Sequence, residues 1–430
     1  MSTSKHDKSP FLKKLLLEKS KTFCMAPWIH LHVMPTGVAA PCCIAESCAT
    51  ETGVGNAREQ KLMDVVNGEK MNQLRMDMLT GVKNEECTKC YKQEEQGIKS
   101  FRQMLSDEMK HHFDDCIDNT DLDTGMLMKF KMRYFDIRFN NICNFKCRTC
   151  GSAFSSQWEQ EDLKSNVWYA KTLPKNDNKE FLQDVIDQID HMETAYFAGG
   201  EPLITEEHYL LLEEMIRRKR TDIRLRYNTN LSNFKFKNKD LIGLWKNFKN
   251  GVNIYASIDH YGARAEYIRH GTDWGVVENN FYTAKSLNFI SIQMNTVLSV
   301  FNYLTIHEFY DYLIKKNLYN PKDRVYTLYN MSTPDHLTAH ILPHELKVKG
   351  AQSINKAIDL LTDKKFGKDH IAQLEDTENW VWSKNTWEEQ RDKFREEIKR
   401  LDKIRGEDFM KTFPEIATLY KVDRVRMWPV

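Results

Sequence analysis

Arg133-Tyr-Phe-Asp-Ile-Arg-Phe139 is a strand-like run that leads into a loop carrying Cys143-Asn-Phe-Lys-Cys147-Arg-Thr-Cys150. Three thiolates can hold three irons of a [4Fe-4S] cube and leave the fourth iron without a protein ligand, whereas an electron-transfer cluster is usually closed by a fourth cysteine. An open iron is a place to bind and activate a small molecule. The competing reading is a zinc site with a distant fourth ligand. Structural zinc usually pairs two separated CxxC knuckles, which this loop does not offer. A second strand-like run ends at Gly199-Gly200-Glu201-Pro202. Two glycines there let backbone approach a ligand closely and expose peptide groups, and Pro202 stiffens the exit.

Outward from these loops, residues 132 to 330 alternate short β-rich runs with amphipathic stretches, the rhythm of repeated βα units. The pattern predicts six strands: Arg133 to Phe139, Glu193 to Ala198, Asp222 to Asn228, Asn253 to Ile258, Ser291 to Leu298 and Arg324 to Tyr329. Between them lie helices such as Glu206 to Arg218, where Tyr209, Leu210, Leu212 and Ile216 recur near helical spacing. Parallel strands joined by right-handed helical crossovers curve into a barrel, and six units make a partial one. The fold class expected is therefore α/β, a partial (β/α)6 TIM-like barrel. Chemistry in such folds sits at the carboxyl ends of the strands. The cysteine loop follows the first strand, the Gly-Gly-Glu-Pro turn the second, Asn228-Thr-Asn230 closes the third and Ser257-Ile-Asp259 the fourth.

This CxxxCxxC spacing in a first βα loop resembles the signature of the radical S-adenosylmethionine (radical SAM) enzymes. The resemblance implies a [4Fe-4S] cluster on Cys143, Cys147 and Cys150 whose open iron chelates SAM. An electron from the reduced cluster then cleaves SAM to methionine and a 5′-deoxyadenosyl radical, which takes a hydrogen atom from substrate. It also implies that Gly199, Gly200, Glu201 and Pro202 meet the SAM amino group. Ser257 stands where a ribose-contacting serine is common, with Asp259 beside it. Arg269, in Tyr267-Ile-Arg-His-Gly271, stands where an arginine meets the SAM carboxylate, for which its two-pronged donor fork is suited. On physics alone Arg269 reads equally as a surface ion pair, and Asn230 as a cofactor contact or a loop cap. Thr149 departs from the aromatic that many family members place before the third cysteine, with Phe145 as the alternative packing residue.

A second cysteine group lies upstream. Cys24-Met-Ala-Pro-Trp28, Gly37, Cys42, Gly55-Asn56, the helical stretch Met71 to Leu79 and then Cys87-Thr-Lys-Cys90 resemble in order the auxiliary-cluster half of the SPASM and Twitch families. The resemblance implies one auxiliary [4Fe-4S] cluster of Twitch type on Cys24, Cys42, Cys87 and Cys90, since no further cysteine follows Cys90 until Cys116. Cys43 competes with Cys42 as a ligand, and a four-cysteine zinc site remains the alternative. Cys48 and Cys116 read as plain thiols. Such auxiliary domains generally follow the barrel, and here the matching segment precedes it. The expected organisation is an N-terminal tail (1–21), a Twitch/SPASM-like domain (22–103), a linker (104–131), the core barrel (132–333) and a helical C-terminal region (334–430). Within the second of these, Ile29 to Val33 and Val38 to Ala40 flank Pro35-Thr36-Gly37 as a hairpin.

Bulk properties narrow the function classes. With 62 basic against 61 acidic side chains, a net charge of +1 supplies no global field for nucleic acid or an acidic membrane. Leu15-Leu16-Leu17 is too short for a signal-peptide core, and no window reaches membrane-span length. Ten cysteines in tight groups then point to metal binding in a reducing, cytoplasmic compartment rather than to disulfides. His30 and His32 read as one face of a hairpin strand, Trp387 to Arg400 as a solvated helix with (i, i+4) charges, and Phe413 to Ile416 as a segment closing over the barrel. Two whole-protein readings follow. One is a radical SAM enzyme with a reductant such as flavodoxin or ferredoxin and a peptide, protein or small-molecule substrate. The alternative is a non-catalytic zinc- or iron-sulfur-binding module or electron carrier.

Overall fold

The structure, a computed structural model, describes residues 9–50, 52–165, 173 and 177–420. The first eight residues of the expected N-terminal tail and the last ten of the C-terminal region lie outside them. The strands are, in chain order, β1 His30–Val33, β2 Val38–Ala40, β3 Gly55–Asn56, β4 Tyr134–Ile137, β5 Lys146–Cys147, β6 Thr194–Phe197, β7 Arg224–Thr229, β8 Lys235–Phe236, β9 Lys239–Asp240, β10 Val252–Ser257, β11 Arg269–His270, β12 Ile290–Leu298 and β13 Thr327–Asn330. Each of the six expected strands is present within a few residues of its expected bounds. Packing divides the chain into two compact units: Met1–Cys143, Ser152–Asn228 and Lys235–Asn253 form the first, and Asn144–Gly151, Thr229–Phe234 and Ile254–Val430 the second.

In the first unit the strand order is β3-β2-β1-β4-β6-β7. The β1–β2 hairpin forms as expected, antiparallel, with His32 opposite Ala40. On its other side β1 pairs in parallel with β4, placing His32 opposite Asp136. The segment with the upstream cysteines thus supplies a strand beside the first strand of the barrel. From β4 the sheet continues in parallel to β6 and β7, with Phe135 opposite Ala195 and Phe197 opposite Tyr227. Strand alternation puts Phe135, Phe197, Leu225 and Tyr227 on one face and Asp136, Tyr196 and Arg226 on the other. On the apolar face Phe197 stacks on Tyr227 at 5.1 Å, and the helix Glu206–Arg217 buries Leu211, Leu212 and Met215. The Tyr227 hydroxyl is bonded by His208 Nε2 at 2.9 Å and Trp245 Nε1 at 3.0 Å, so the polar ends of these aromatics are satisfied in the core.

The polar face carries charge deep in the unit. His32 Nδ1 meets Asp136 Oδ2 at 2.9 Å, with both side chains at most 1% exposed. Burial opposes the Asp136 charge, but His32 and Arg138 outweigh it and hold the carboxyl far below its ordinary range.

In the second unit β10, β12 and β13 lie side by side, and β12 runs parallel to β13 with Asn295 opposite Thr327. β5 and β11 form a separate antiparallel pair. Helices His344–Asp363, Lys368–Trp382 and Trp387–Arg405 make up most of the rest. The last was expected to be simply solvated, yet it buries Phe394, Ile398 and Leu401. Phe413 lies in the core of this unit against Tyr267, Phe301 and Phe409. The whole is a mixed α/β fold with parallel strands, consistent with a partial TIM barrel, followed by a helical C-terminal region. Among the described residues no helix is long and apolar enough to cross a membrane.

Candidate iron-sulfur sites

The upstream cysteines all lie in the first unit. Cys24 precedes the short helix Ala26–Ile29, Cys42 follows β2, and Cys87 and Cys90 sit where the turn Glu85–Cys87 enters the helix Thr88–Glu95. The structure brings these four together. Cys24 feels the charges of Cys87 and Cys90, and Cys42 those of Cys24 and Cys87. Cys43 instead faces Asp136, Arg138 and Cys48, and Cys48 Sγ donates to the Cys42 carbonyl at 3.2 Å.

Burial drives the Cys24 and Cys87 thiols up to about 12, so the thiolate form needs a bound metal to stabilise it. Other groups already favour negative charge. The Ala26 amide donates to Cys24 Sγ at 3.4 Å, and the Ile44 backbone lowers the Cys42 thiol. Arg102 lies near Cys24 and Cys90, gripped by both oxygens of Glu94 and bonded to the Phe23 carbonyl at 2.7 Å. Four thiols, two of them met by backbone amides, are a donor set that would close a [4Fe-4S] cluster or a zinc site.

A fully buried arginine braces this region. Arg75, in the helix Glu69–Thr80, donates to the carbonyls of Pro27, Val66 and Gly125. Its burial lowers its pKa to about 10.

The CxxxCxxC loop straddles the division of the chain, with Cys143 in the first unit and Cys147 and Cys150 in the second. On the first side, the Gly-Gly-Glu-Pro turn is bonded to the residue before Cys143: Glu201 N donates to Ile142 O at 2.7 Å. Gly199 has φ +123°, and a Cβ on Gly200 would stand 2.1 Å from Ile142 O. Both glycines are therefore required by the backbone's conformation and close approach. The Glu201 side chain turns back to accept from Leu203 N at 3.0 Å, while Pro202 opens a short 3-10 turn. The Cys143 amide faces Ser156 Oγ at 3.3 Å.

On the second side, Cys147 lies on β5 opposite Arg269 of β11. Arg269 was read as either a carboxylate contact or a surface ion pair. It is half-buried, with Nε and Nη2 on the two oxygens of the buried Asp259 at 2.9 and 3.1 Å. Its Nη1 points toward Cys147 Sγ at 3.9 Å. Asp259 also accepts from Val297 N at 2.8 Å, so β12 fixes the pair. Asn230 Nδ2 donates to Asn144 Oδ1 at 2.9 Å, tying the end of β7 to the cysteine loop. Ser257 is the half-buried last residue of β10. Phe145 is buried, in contact range of Gly271.

Sequence reasoning missed Arg148, which lies between Cys147 and Cys150. Its amide donates to Ile268 O at 2.7 Å. Its guanidinium lies 3.7 Å from the centre of the Tyr267 ring and pairs with Asp402 Oδ1 at 2.6 Å and with Glu407. Tyr267 donates to the same Asp402 oxygen at 2.7 Å, and His270 Nδ1 meets Glu407 Oε1 at 2.6 Å. Its only local signal was an arginine inside the cysteine spacing.

Site and fold together define a protein with two cysteine-rich, metal-binding loops on a parallel α/β core. Family comparison makes the class specific. The iron-sulfur cluster-binding domain named SPASM matches residues 24–91, and the radical SAM superfamily matches residues 137–313. The chain carries a radical SAM core domain, with a SPASM-type domain N-terminal to it. The radical SAM domain implies a [4Fe-4S] cluster with SAM, and the SPASM-type domain implies auxiliary iron-sulfur binding.

No curated protein matches the sequence. Among solved structures, anSMEcpe with bound AdoMet is similar at 16% identity and a TM-score of 0.35, over 52% of this chain and 58% of that one. Streptococcus suis SuiB bound to its precursor peptide SuiA is similar at 12% identity and a TM-score of 0.38, over 70% and 64%. The chain thus spans about six-tenths of the length of these structures.

Proposed function

We propose that this chain is a radical SAM enzyme that abstracts hydrogen from a peptide or protein substrate, with one auxiliary [4Fe-4S] cluster. The observation that carries this is the bonding of the Gly199–Pro202 turn onto the Cys143 loop, through Glu201 N and Ile142 O at a glycine with no room for a Cβ. In this reading Cys143, Cys147 and Cys150 hold the SAM cluster. When bound there, cluster and SAM supply a 5′-deoxyadenosyl radical on one-electron reduction.

The chain's own residues position and shield. Gly199 and Gly200 present backbone to the SAM amino group, with Glu201 and Pro202 holding the turn's shape. Asp259 orients Arg269, whose free edge faces Cys147. Asn230 steadies the loop through Asn144, and Ser257 and Asp259 offer polar groups at the β10 end. Cys24, Cys42, Cys87 and Cys90 hold the auxiliary cluster, and the placement of Cys43 toward Asp136 and Arg138 favours Cys42 as the ligand.

A cavity of about 570 Å³ borders the same loop within the first unit, lined by Asn140, Asn141, Ile142, Gln160 and Glu207 among others. Its amides and carboxylates suit the donors and acceptors of a peptide backbone. A reductant of flavodoxin or ferredoxin type in the cytoplasm completes the reading.

The test is anaerobic reconstitution followed by dithionite and SAM. Release of 5′-deoxyadenosine is expected, from a protein holding about eight irons and eight sulfides. No SAM cleavage from fully iron-loaded protein, or stoichiometric zinc without visible absorption, would favour the non-catalytic module. Deuterium transfer from labelled candidate peptides into 5′-deoxyadenosine tests the substrate class.

A further inference from the structure

Outside the cysteine sites, His111, His112 and Glu193 bring their ligand atoms within 4.8 Å of one another. The two histidines lie on the 3-10 turn Lys110–His112, between the helices Phe101–Met109 and Phe113–Asp118. Glu193 directly precedes β6, and its amide donates to Arg133 O at 2.9 Å, so the acid is fixed by the sheet. His111 Nε2 stands 3.2 Å from Glu193 Oε2, and His112 Nε2 contacts Oε1. Ligands at about 2.0–2.1 Å around a tetrahedral ion would stand about 3.3 Å apart. We propose that His111, His112 and Glu193 form a divalent-metal site of His2Glu type, taking Zn2+ with an open fourth position for water.

The chemistry suits zinc over the hard cations, because imidazole nitrogen is a borderline donor and two of the three ligands are imidazoles. Burial and then Arg133 hold the His112 pKa below the ordinary histidine value, against the pull of Glu193. The cationic groups around the site also pair outside it. Lys131 Nζ pairs with Asp115 at 2.6 Å, and Arg133 reaches Asp115 at 3.6 Å and the His191 carbonyl at 3.2 Å. Arg133 also approaches Glu193 Oε1 at 3.9 Å, which opposes a dication and sets a modest affinity. Neither thiols nor SAM are involved, so the site stands apart from the iron chemistry. A bound ion would tie the turn before the helix Phe113–Asp118 to the start of β6, two segments otherwise distant in sequence.

The test uses cluster-loaded protein, whose ligating thiols are occupied, equilibrated anaerobically with buffered micromolar Zn2+ and then analysed for metal. One zinc per chain beyond the iron is expected, with a rise in thermal midpoint on adding zinc. His112→Ala should weaken binding at least about tenfold and abolish that rise. His111→Ala, at an exposed position, gives the same loss in a protein that keeps its fold. Lowering pH through the histidine range should release the ion. Equal zinc in the wild type and both variants, or none in the wild type at saturating Zn2+, overturns the proposal.

Discussion

The two cysteine sites are built by different strategies. At the upstream site Cys24, Cys42, Cys87 and Cys90 all fall inside one compact unit, with backbone amides facing two of the sulfurs and Arg102 pinned nearby by Glu94. The amide donors at Cys24 and Cys42 come from Ala26 and Ile44 just downstream of them, while Arg102 reaches back to the Phe23 carbonyl from 79 residues away. The CxxxCxxC loop has local partners as well, Ser156 Oγ at the Cys143 amide and the Gly151 carbonyl at Cys150 Sγ. Its second half also draws on side chains far along the chain: Arg148 pairs with Asp402 and Glu407, and Cys147 faces Arg269, itself held by Asp259. A closed cluster needs only a stable cage, whereas a cluster with an open iron needs its loop aimed. The long-range ion pairs serve aim more than stability, because a buried pair gains little net free energy but fixes geometry.

The largest effect should come from Cys147→Ala. Release of 5′-deoxyadenosine should fall below detection, while iron drops by about half, from eight to four, as the upstream cluster survives. Loss of all iron would mean that the sites do not assemble independently. Next, Cys42→Ser should remove the upstream cluster and Cys43→Ser should keep it, as read by iron content and the low-temperature spectrum of the reduced protein. Equal loss in both would put ligand exchange between the neighbours back in play. Gly200→Ala should spare both clusters. Its Cβ would stand 2.1 Å from Ile142 O, so the turn must move, and SAM cleavage should slow by roughly 100-fold. Unchanged turnover would separate the turn from cofactor positioning.

What the sequence disclosed follows the range of the interactions. Strands β4, β6, β7, β10, β12 and β13 were legible because period-2 alternation and bounding turns are local, and so were the cysteine loops and the Gly-Gly-Glu-Pro turn. The parallel pairing of β1 with β4 was not, since a hairpin reads as self-sufficient and nothing near His30 announces a partner a hundred residues away. His32 was legible as a strand position but not as the partner of a buried Asp136. Arg75 looked like one more charged residue on a helix, and only the fold supplies the three carbonyls it serves. In the helix Trp387–Arg405 the dense (i, i+4) charges hid the apolar row Phe394, Ile398 and Leu401. They also hid Asp402, the acid that anchors Arg148.

That anchor gives the subtlest test of the contrast. Burial tends to raise the Glu407 carboxyl, but the His270 hydrogen bond and Arg148 outweigh it and hold the group below its ordinary value. A carboxyl depressed in the folded state contributes stability above its unfolded value, and that stability is lost as pH falls through the folded value. Exchange of the Arg148 amide, bonded to Ile268 O and corrected for intrinsic rate, should therefore speed up as pH is lowered through the carboxylate range. In Glu407→Gln it should be faster at neutral pH and nearly flat with acid, and the two proteins should converge at the acid end. Amides of the upstream site, such as Ala26, should exchange alike in both proteins. If the variant followed the wild type throughout, the loop would owe its aim to Asp402 and the β5–β11 pairing alone, and the second acid would be an incidental surface neighbour.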